Sequence, residues 1–254
     1  MTGKNATAPR VTATRDEAGV FTLSMRDATG RNAFCVPFVA ELEAALAEIA
    51  RDREAKAVVL VGLPDVFCSG APRELLGKLA RGEEVPSDIV LSKAVLDLPI
   101  PVIAAMEGHA TGGGLALGLC ADVVLMARES RYGASFMNLG FTPGMGITRL
   151  LEHVLSPALA HELMYTGEFR RGADFSLRSG VNYVLPRAEI RPKAFDVAAR
   201  IAEKPRVALE TLKRWLSLDR RRAFEDTRTV ETMMHEITFR QDAVRERIED
   251  EYVD

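Results

Sequence analysis

The amino-acid sequence predicts an α/β fold: a layered core with a mainly parallel sheet, followed by a helical C-terminal region. Along most of the chain, short apolar segments of strand length alternate with segments whose apolar residues recur at helical spacing. Such alternation is typical of βαβ units. After Pro192 the strand signals stop and only helical spacing continues. We therefore predict a core over residues 1–190 and a helical region over residues 191–254.

The first elements follow from alternation and spacing. Val11 to Arg15 and Val20 to Met25 alternate on either side of a turn that contains Gly19, which indicates a β-hairpin. Val36 to Arg51 is predicted as an amphipathic helix. Its apolar stripe consists of Phe38, Leu42, Leu46 and Ile49. The fully apolar segment Ala57 to Val61 predicts a buried parallel strand.

The second part of the core repeats this order. Val90 to Leu98 is predicted as a helix that is stopped by the next proline, and Arg81 to Asp88 as a mobile loop before it. Pro101 to Met106 and Ala121 to Ala127 are predicted strands, with a glycine-led helix over Leu115 to Cys120 between them. The predicted C-terminal helices are Val197 to Ala202, Val207 to Leu216 and Phe224 to Arg247.

Composition excludes several classes of protein. A length of 254 residues with 47% hydrophobic and 27% charged residues suits one large globular domain or a domain with an appendage. The net charge of −3 gives no reason to expect nucleic acid, and Arg220-Arg221-Arg222 is interpreted as a solvated face or a contact to an acidic partner. No apolar run approaches membrane-spanning length. Cys35, Cys68 and Cys120 are interpreted as reduced core thiols without metal-ligand spacing, which favours a cytoplasmic location.

One glycine-rich segment carries a chemical signal. Glu107-Gly-His-Ala-Thr-Gly-Gly-Gly-Leu115 places three glycines between a predicted strand and a predicted helix. Glycine allows other groups close to the backbone, and the first N–H groups of a helix lack intrahelical partners. Such a turn can stabilise negative charge on an oxygen. It does not fit the GxGxxG frame of a dinucleotide site, and by itself a glycine turn is usually structural.

A second turn completes the proposed anion site. Val66-Phe-Cys-Ser-Gly-Ala71 follows the strand that begins at Ala57, and the N–H of Ala71 is the natural donor. One N–H from this turn and one from Gly112 to Gly114 can converge on a single carbonyl oxygen. Ser69 and Thr111 lack a paired base in the sequence, so nucleophilic catalysis is not expected.

With Gly140-Phe-Thr-Pro-Gly-Met-Gly146 and Thr148-Arg-Leu150, these two turns make the chain resemble the crotonase (enoyl-CoA hydratase/isomerase) superfamily over essentially its whole length. The resemblance implies a crotonase-like spiral of ββα turns with a C-terminal helical region that caps the active site. It implies assembly as a homotrimer or a dimer of trimers. It also implies a thioester carbonyl held in an oxyanion hole by the N–H groups of Ala71 and Gly113.

The departures from the family pattern point to one reaction. Hydratases of the family carry glutamates at the positions that hold Ala116 and Phe136 here. Without those acids, hydration by the usual route has no base and no acid. A dry pocket with an oxyanion hole suits decarboxylation, because loss of CO2 itself generates an enolate and leaving water raises the energy of the carboxylate.

Within the superfamily, Phe136-Met137, Leu139-Gly-Phe-Thr-Pro143 and Met233-Met-His-Glu-Ile-Thr-Phe239 are similar to the decarboxylase of the polyketide β-branching cassette. In that subgroup a lysine and a histidine serve the active site, and Lys78 and His235 are the matching positions. Without the resemblance, Lys78 would be interpreted as a solvated surface residue and His235 as a histidine of the core. Another member uses a tyrosine near the lysine. This chain has Arg73-Glu-Leu75 there, which leaves the carboxylate anchor open.

The resemblance therefore implies an enzyme, a carboxy-lyase without metal or dissociable cofactor. Its substrate would be a 3-methylglutaconyl-type thioester on the phosphopantetheine of an acyl carrier protein, or on CoA. The product would be a 3-methylcrotonyl-type or β,γ-unsaturated thioester. Three alternatives stay open: an enoyl-CoA isomerase or hydratase with relocated acids, a dehydratase of the same cassette, and a non-catalytic scaffold that binds a carrier protein or a thioester.

Overall fold

The computed structural model describes residues 8–84 and 89–250. The strands of the described residues are β1 (Val11–Arg15), β2 (Val20–Met25), β3 (Ala57–Val61), β4 (Val66–Cys68), β5 (Val102–Met106), β6 (His109–Thr111), β7 (Val123–Ala127), β8 (Arg131–Gly133), β9 (Phe169–Arg171) and β10 (Tyr183–Leu185). The α-helices are α1 (Val36–Arg51), α2 (Arg73–Ala80), α3 (Ile89–Leu96), α4 (Gly113–Leu119), α5 (Ile147–Val154), α6 (Pro157–Thr166), α7 (Arg187–Ala202), α8 (Arg206–Leu216), α9 (Leu218–Thr238) and α10 (Asp242–Asp250). Two 3-10 helices span Ser135–Leu139 and Gly172–Phe175.

Two sheets form the core. The larger has the order β1-β2-β3-β5-β7-β10, with an antiparallel β1–β2 hairpin and parallel pairing from β2 onwards. The smaller has the order β4-β6-β8-β9, and β4, β6 and β8 run parallel. In each of the successive pairs β3/β4, β5/β6 and β7/β8, the first strand joins the larger sheet and the second joins the smaller. This repeat is the spiral of ββα turns that the resemblance implies, and the predicted fold class is confirmed.

The larger sheet is buried on both faces. Val58 and Leu60 of β3 belong to the apolar cluster between the sheets and α1, while Val59 and Val61 belong to a second cluster under α7. Burial on both faces explains why this strand is apolar throughout rather than alternating. The stripe of α7 that meets the sheet consists of Ile190, Ala194, Ala198 and Ala202. Its alanines let the helix pack closely.

Most of the predicted elements of the core are confirmed. The hairpin, α1 and β3 have the predicted bounds, and α3, β5 and β7 differ from theirs by one to two residues at an end. The last four residues of the predicted mobile loop, 85–88, lie outside the described residues. The three-residue strands β4, β6, β8, β9 and β10 were not predicted, because three residues are too few to display a period of two.

The C-terminal region departs from the prediction in two places. The single helix predicted over Phe224 to Arg247 is wrong: α9 begins six residues earlier, at Leu218, and ends at Thr238, and α10 begins at Asp242. Helix α7 begins ten residues before the predicted Val197 and contains Pro192, since its packed stripe outweighs the loss of one backbone hydrogen bond. The predicted boundary between residues 190 and 191 falls inside this helix, and the division into two regions stays a prediction.

A partly buried ionic cluster connects the C-terminal helices to the larger sheet. Asp122 Oδ2 accepts hydrogen bonds from Lys213 Nζ at 2.8 Å and from the Val102 N–H at 2.8 Å. Asp122 Oδ1 lies 2.5 Å from an Arg220 guanidinium nitrogen. Arg220 is therefore an internal ion-pair partner rather than part of a solvated face. In the described part of the chain, no helix combines the length and the apolar run needed to cross a bilayer.

Candidate active site

An apolar cavity of about 360 Å³ lies between the smaller sheet and helices α1, α2 and α9. Three of the four predicted site residues, Ala71, Gly113 and His235, line it. Lys78 does not line it, although Leu75 and Leu79 of the same helix do. The turns after β4 and β6 and the far end of α9 thus meet at one place.

The strand register brings the two predicted N–H donors together. Strands β4 and β6 are parallel neighbours in which Cys68 pairs with Ala110, so Ala71 and Gly113 each follow a paired position by three residues. Gly70 has a φ of +80°, and a Cβ there would lie 2.7 Å from the Thr111 carbonyl oxygen and 3.2 Å from the Gly113 nitrogen. Only glycine fits at this approach.

Gly113 lines the cavity at the start of a helix. It is the first residue of α4, where an N–H has no intrahelical partner. The preceding residue, Gly112, has a φ of +51° and donates its own N–H to the Gly133 carbonyl at 2.9 Å. The Phe34 N–H donates to the Gly70 carbonyl at 2.8 Å and so fixes the other turn. The geometry suits an oxyanion hole built from Ala71 and Gly113, and this assignment stays a prediction.

His235 reaches the cavity from α9 with a fixed ring. Its side chain is 4% exposed, and its Nε2 lies 2.9 Å from the Thr142 carbonyl oxygen. Because a carbonyl only accepts, Nε2 carries the proton, and Nδ1 is the nitrogen left for proton exchange. Phe141 and Phe239 pack edge-on to the imidazole, with ring centroids 6.4 Å and 5.4 Å away.

A buried carboxylate that the sequence reasoning missed supports this arrangement. Glu231, one helical turn before His235, is 1% exposed and accepts hydrogen bonds from the N–H groups of Gly146 at 2.7 Å and Thr148 at 3.1 Å. The Thr148 hydroxyl donates to it at 2.5 Å. Glu231 thereby ties α9 to the start of α5, and Gly146, which it binds, directly follows Met145, a cavity-lining residue with a φ of +65°. The signal in the sequence that could have identified Glu231 is its spacing of four residues from His235, which puts both side chains on the same face of a helix.

The cavity wall is apolar where hydratases carry their acids. Phe136 lines the cavity and packs edge-on to Phe141 at 6.0 Å between ring centroids. Ala116 lies behind the wall, 3% exposed. Phe141 in turn stacks on Phe239 at 4.5 Å. The two positions therefore offer a ring and a methyl group, and neither can transfer a proton.

Lys78 lies outside the cavity in this conformation. Its Nζ is 3.0 Å from Glu74 Oε1, four residues earlier on α2, and its side chain is 39% exposed. The hydrogen bond and the charge of Glu74, together with the charges of Glu84 and Glu83, raise the pKa of Lys78 above its usual value. Of these acids, Glu84 lines the cavity. Glu74 belongs to Arg73-Glu-Leu75, the segment in which the sequence did not identify a residue to bind the substrate carboxylate.

Two carboxylates on the wall were not predicted. Glu43 of α1 and the exposed Glu84 both line the cavity. Glu43 follows the cavity-lining Val39 by one helical turn, which was the only signal in the sequence. Among the described residues, no three His, Cys, Asp or Glu side chains are grouped to hold a metal ion.

A second, more polar cleft of about 560 Å³ adjoins the first. Both cavities are lined by Ser69, Thr111, Ser135 and Leu139, next to the two glycine turns. The second cleft adds polar groups such as Arg31 and Asn138. The predicted oxyanion hole thus lies where an apolar chamber meets a polar channel.

Known proteins share this architecture. The enoyl-CoA hydratase/isomerase family profile matches residues 15–253. The bacillaene synthase decarboxylase of Bacillus subtilis is 41% identical over 236 residues, which cover 93% of this chain and 95% of that protein. A structure from a dehydratase/decarboxylase couple involved in polyketide β-branching superposes with a TM-score of 0.92 at 40% identity, covering 96% of this chain and 100% of the other. The ECH2 decarboxylase domain of CurF from Lyngbya majuscula gives a TM-score of 0.91 at 38% identity, with the same coverage.

These comparisons confirm the resemblance to decarboxylases of polyketide β-branching that was predicted from the segment beginning at Phe136. The similarity extends over nearly the whole chain, including the C-terminal helices. The chain therefore belongs to the enoyl-CoA hydratase/isomerase family.

Proposed function

We propose that the protein is a carboxy-lyase that decarboxylates a 3-methylglutaconyl-type thioester on an acyl carrier protein. The observation that carries the proposal is the meeting of Ala71, Gly113 and His235 in one apolar cavity, with Phe136 and Ala116 at the positions of the hydratase acids. Relatives that are named decarboxylases support it.

The reaction needs an electron sink, which is the thioester carbonyl of the substrate, and the two N–H groups stabilise the negative charge that develops on its oxygen. Ala71 and Gly113 donate to the thioester oxygen, and each such donor contributes about 2.7–4 kcal/mol to transition-state stabilisation in other enzymes. The bond between the γ-carbon and the carboxylate breaks, and its electron pair passes through the enoyl system to the thioester oxygen. CO2 leaves and a dienolate remains. The apolar wall around Phe136 favours this step, because apolar surroundings destabilise the charged carboxylate of the substrate but do not destabilise the neutral CO2 that leaves.

A proton then returns to the dienolate. Protonation at the γ-carbon gives the 3-methylcrotonyl-type product, and protonation at the α-carbon gives the β,γ-unsaturated product. His235 is the proposed donor, through Nδ1 of its protonated ring, since the Thr142 carbonyl occupies Nε2. Lys78 is the proposed partner of the substrate carboxylate, and to reach it the ammonium must exchange Glu74 for the substrate.

The proposal extends to partners and location. The polar cleft beside Ser69 and Thr111 would take the pantetheine arm of the carrier protein, while the apolar chamber takes the acyl group. No metal or dissociable cofactor takes part in the proposed steps. A homotrimer or a dimer of trimers is supported by exposed apolar side chains on α8, of which Trp215 is 71% exposed. Free, buried Cys68 and Cys120 are compatible with a cytoplasmic location.

Glu43 and Glu84 favour one alternative, a hydratase or isomerase with relocated acids. The two functions separate in a paired assay of Glu43→Gln and Glu84→Gln, which retain side-chain size. The decarboxylase proposal predicts CO2 release from the 3-methylglutaconyl carrier thioester by wild type and both variants, and no hydration of crotonyl thioester. Hydration or double-bond migration without CO2, lost on substitution of either glutamate, would support the alternative. If the protein bound the thioester without turnover, both enzymatic functions would be excluded and the non-catalytic scaffold would be the remaining alternative.

A further inference from the structure

A basic cleft of about 470 Å³ lies far from the active site. It is formed by the end of α1, the loop between α3 and β5, helix α8 and the start of α9. Arg221, in its wall, precedes His235 on α9 by fourteen positions, about 21 Å along the helix axis. The proposed reaction gives this cleft no role.

Its lining is strongly unbalanced in charge. The cations are Arg51, Arg53, Arg206, Lys213, Arg214 and Arg221. The carboxylates are Asp97 and Glu210, and both already have partners. Asp97 lies 2.8 Å from Lys93 Nζ, and Glu210 lies 2.8 Å from the guanidinium of Arg206. The acids of the cleft therefore leave most of its cations uncompensated.

Several guanidinium groups are available to a ligand. In the described part of the chain, the side chains of Arg51, Arg53 and Arg214 make no ion pair and no hydrogen bond. Arg221 bonds only to the Arg214 carbonyl, at 2.6 Å, which orients its guanidinium. Four arginines, from α1, the turn after it, α8 and α9, thus line one concave surface without a carboxylate partner.

The floor of the cleft adds a buried cation. Lys213 is 5% exposed and is held by Asp122 and by the Ile100 carbonyl, each at 2.8 Å from its Nζ. Burial and the neighbouring Arg220 and Arg221 lower the pKa of Lys213, although Asp122 opposes the shift. Lys213 therefore adds a largely compensated charge to the floor, and the uncompensated charge of the cleft comes from its arginines.

We propose that this cleft binds a polyvalent anion of the phosphate class. Guanidinium groups match phosphate oxygens in pairs, and their forks carry more specificity than ammonium groups do. Because the lining arginines come from separate elements, Arg51 and Arg53 from the end of α1 and the turn after it, and Arg214 and Arg221 from α8 and α9, an anion with several charged oxygens can engage more of them than an anion with a single charge. The anion could be free or attached to a larger molecule, and both sources share this chemistry.

Titration of the full chain with inorganic pyrophosphate, by calorimetry at low ionic strength, tests the proposal. We expect saturable binding that Arg53→Ala with Arg214→Ala weakens at least tenfold. The matched control is Arg222→Ala with Arg228→Ala, which removes the same charge from exposed positions on α9 and should bind within twofold of wild type. Inorganic phosphate should bind more weakly than pyrophosphate.

Absence of binding to wild type, or equal weakening in the cleft and control variants, would overturn the proposal. So would a change of subunit association in the cleft variant alone, because the arginines would then face a neighbouring copy. If the alanine variant melts at a lower temperature than wild type, Arg53→Gln with Arg214→Gln removes the same charges with less loss of packing. Restored pyrophosphate binding in that variant would also contradict the inference.

Discussion

Replacing Gly113 by proline removes one of the two proposed oxyanion donors, but the structure shows that it does more. A Cβ at Gly113 would lie 2.7 Å from Met145 Sδ and 2.7 Å from Phe34 Cε2. Any side chain there must displace these two cavity-wall groups, at a cost to folding of about 1–3 kcal/mol. Proline is otherwise tolerated, because Gly113 is the first residue of α4 and its N–H is not needed by the helix. A loss of activity in Gly113→Pro would therefore mix two causes.

Gly113→Ala separates them, since alanine adds the same Cβ and keeps the N–H. The ratio of kcat/KM between the alanine and proline variants isolates the donor. Loss of one such donor costs about 2.7–4 kcal/mol, which is a factor of about 10²–10³ in rate. The assay is CO2 release from the carrier-bound thioester, with melting temperature and oligomer mass measured on the same preparations. Equal activity of two equally folded variants would refute the assignment of Gly113 as a donor.

Three further outcomes are expected. His235→Gln should lower decarboxylation by about 10²–10⁴ if it supplies the proton, whereas the exposed His161→Gln should not, and equal rates in the two variants would remove His235 from the mechanism. Asp122→Ala should lower the free energy of unfolding by about 3–5 kcal/mol because it leaves the Lys213 cation buried without its carboxylate. Asp122 raises the pKa of buried Lys213, so its removal lowers the folded-state pKa further. Between that lower pKa and the unfolded value the unfolded variant binds more protons than the folded one, so the variant gains stability with pH over a wider range than wild type does; the deficit should shrink towards roughly pH 10 in urea titrations, and a constant deficit would contradict this. Burial raises the pKa of Cys68 to about 12, so iodoacetamide should modify it only after unfolding, and peptide mass mapping of labelled native protein would reveal the opposite.

The sequence predicted the elements that are long or buried on both faces. A five-residue apolar strand such as Ala57–Val61 and a 16-residue amphipathic helix such as Val36–Arg51 each contain enough of their pattern to be recognised. The break between α9 and α10 was missed because Phe239, Val244 and Ile248 continue the apolar spacing across it. Where a helix stops is decided there by packing against the core, which local spacing does not contain.

The residues of the candidate site also fall into those that could be predicted from the sequence and those that could not. Ala71 and Gly113 could be placed from the sequence because each is tied to the end of a strand, and parallel neighbouring strands put their ends together. His235 could be placed only through the resemblance. The ion pair of Lys78 with Glu74 and the position of Glu43 on the wall depend on side-chain conformation and helix packing, which no local pattern records.

The central claim is that loss of CO2, not addition of water, generates the enolate that Ala71 and Gly113 stabilise. The most direct test is to incubate the protein in D2O with the 3-methylglutaconyl thioester on its carrier protein and to record the intact acyl mass. The account predicts loss of one CO2 and uptake of one solvent deuterium at the α- or γ-carbon. A gain of one water, or an unchanged mass with a matched carrier protein, would contradict it.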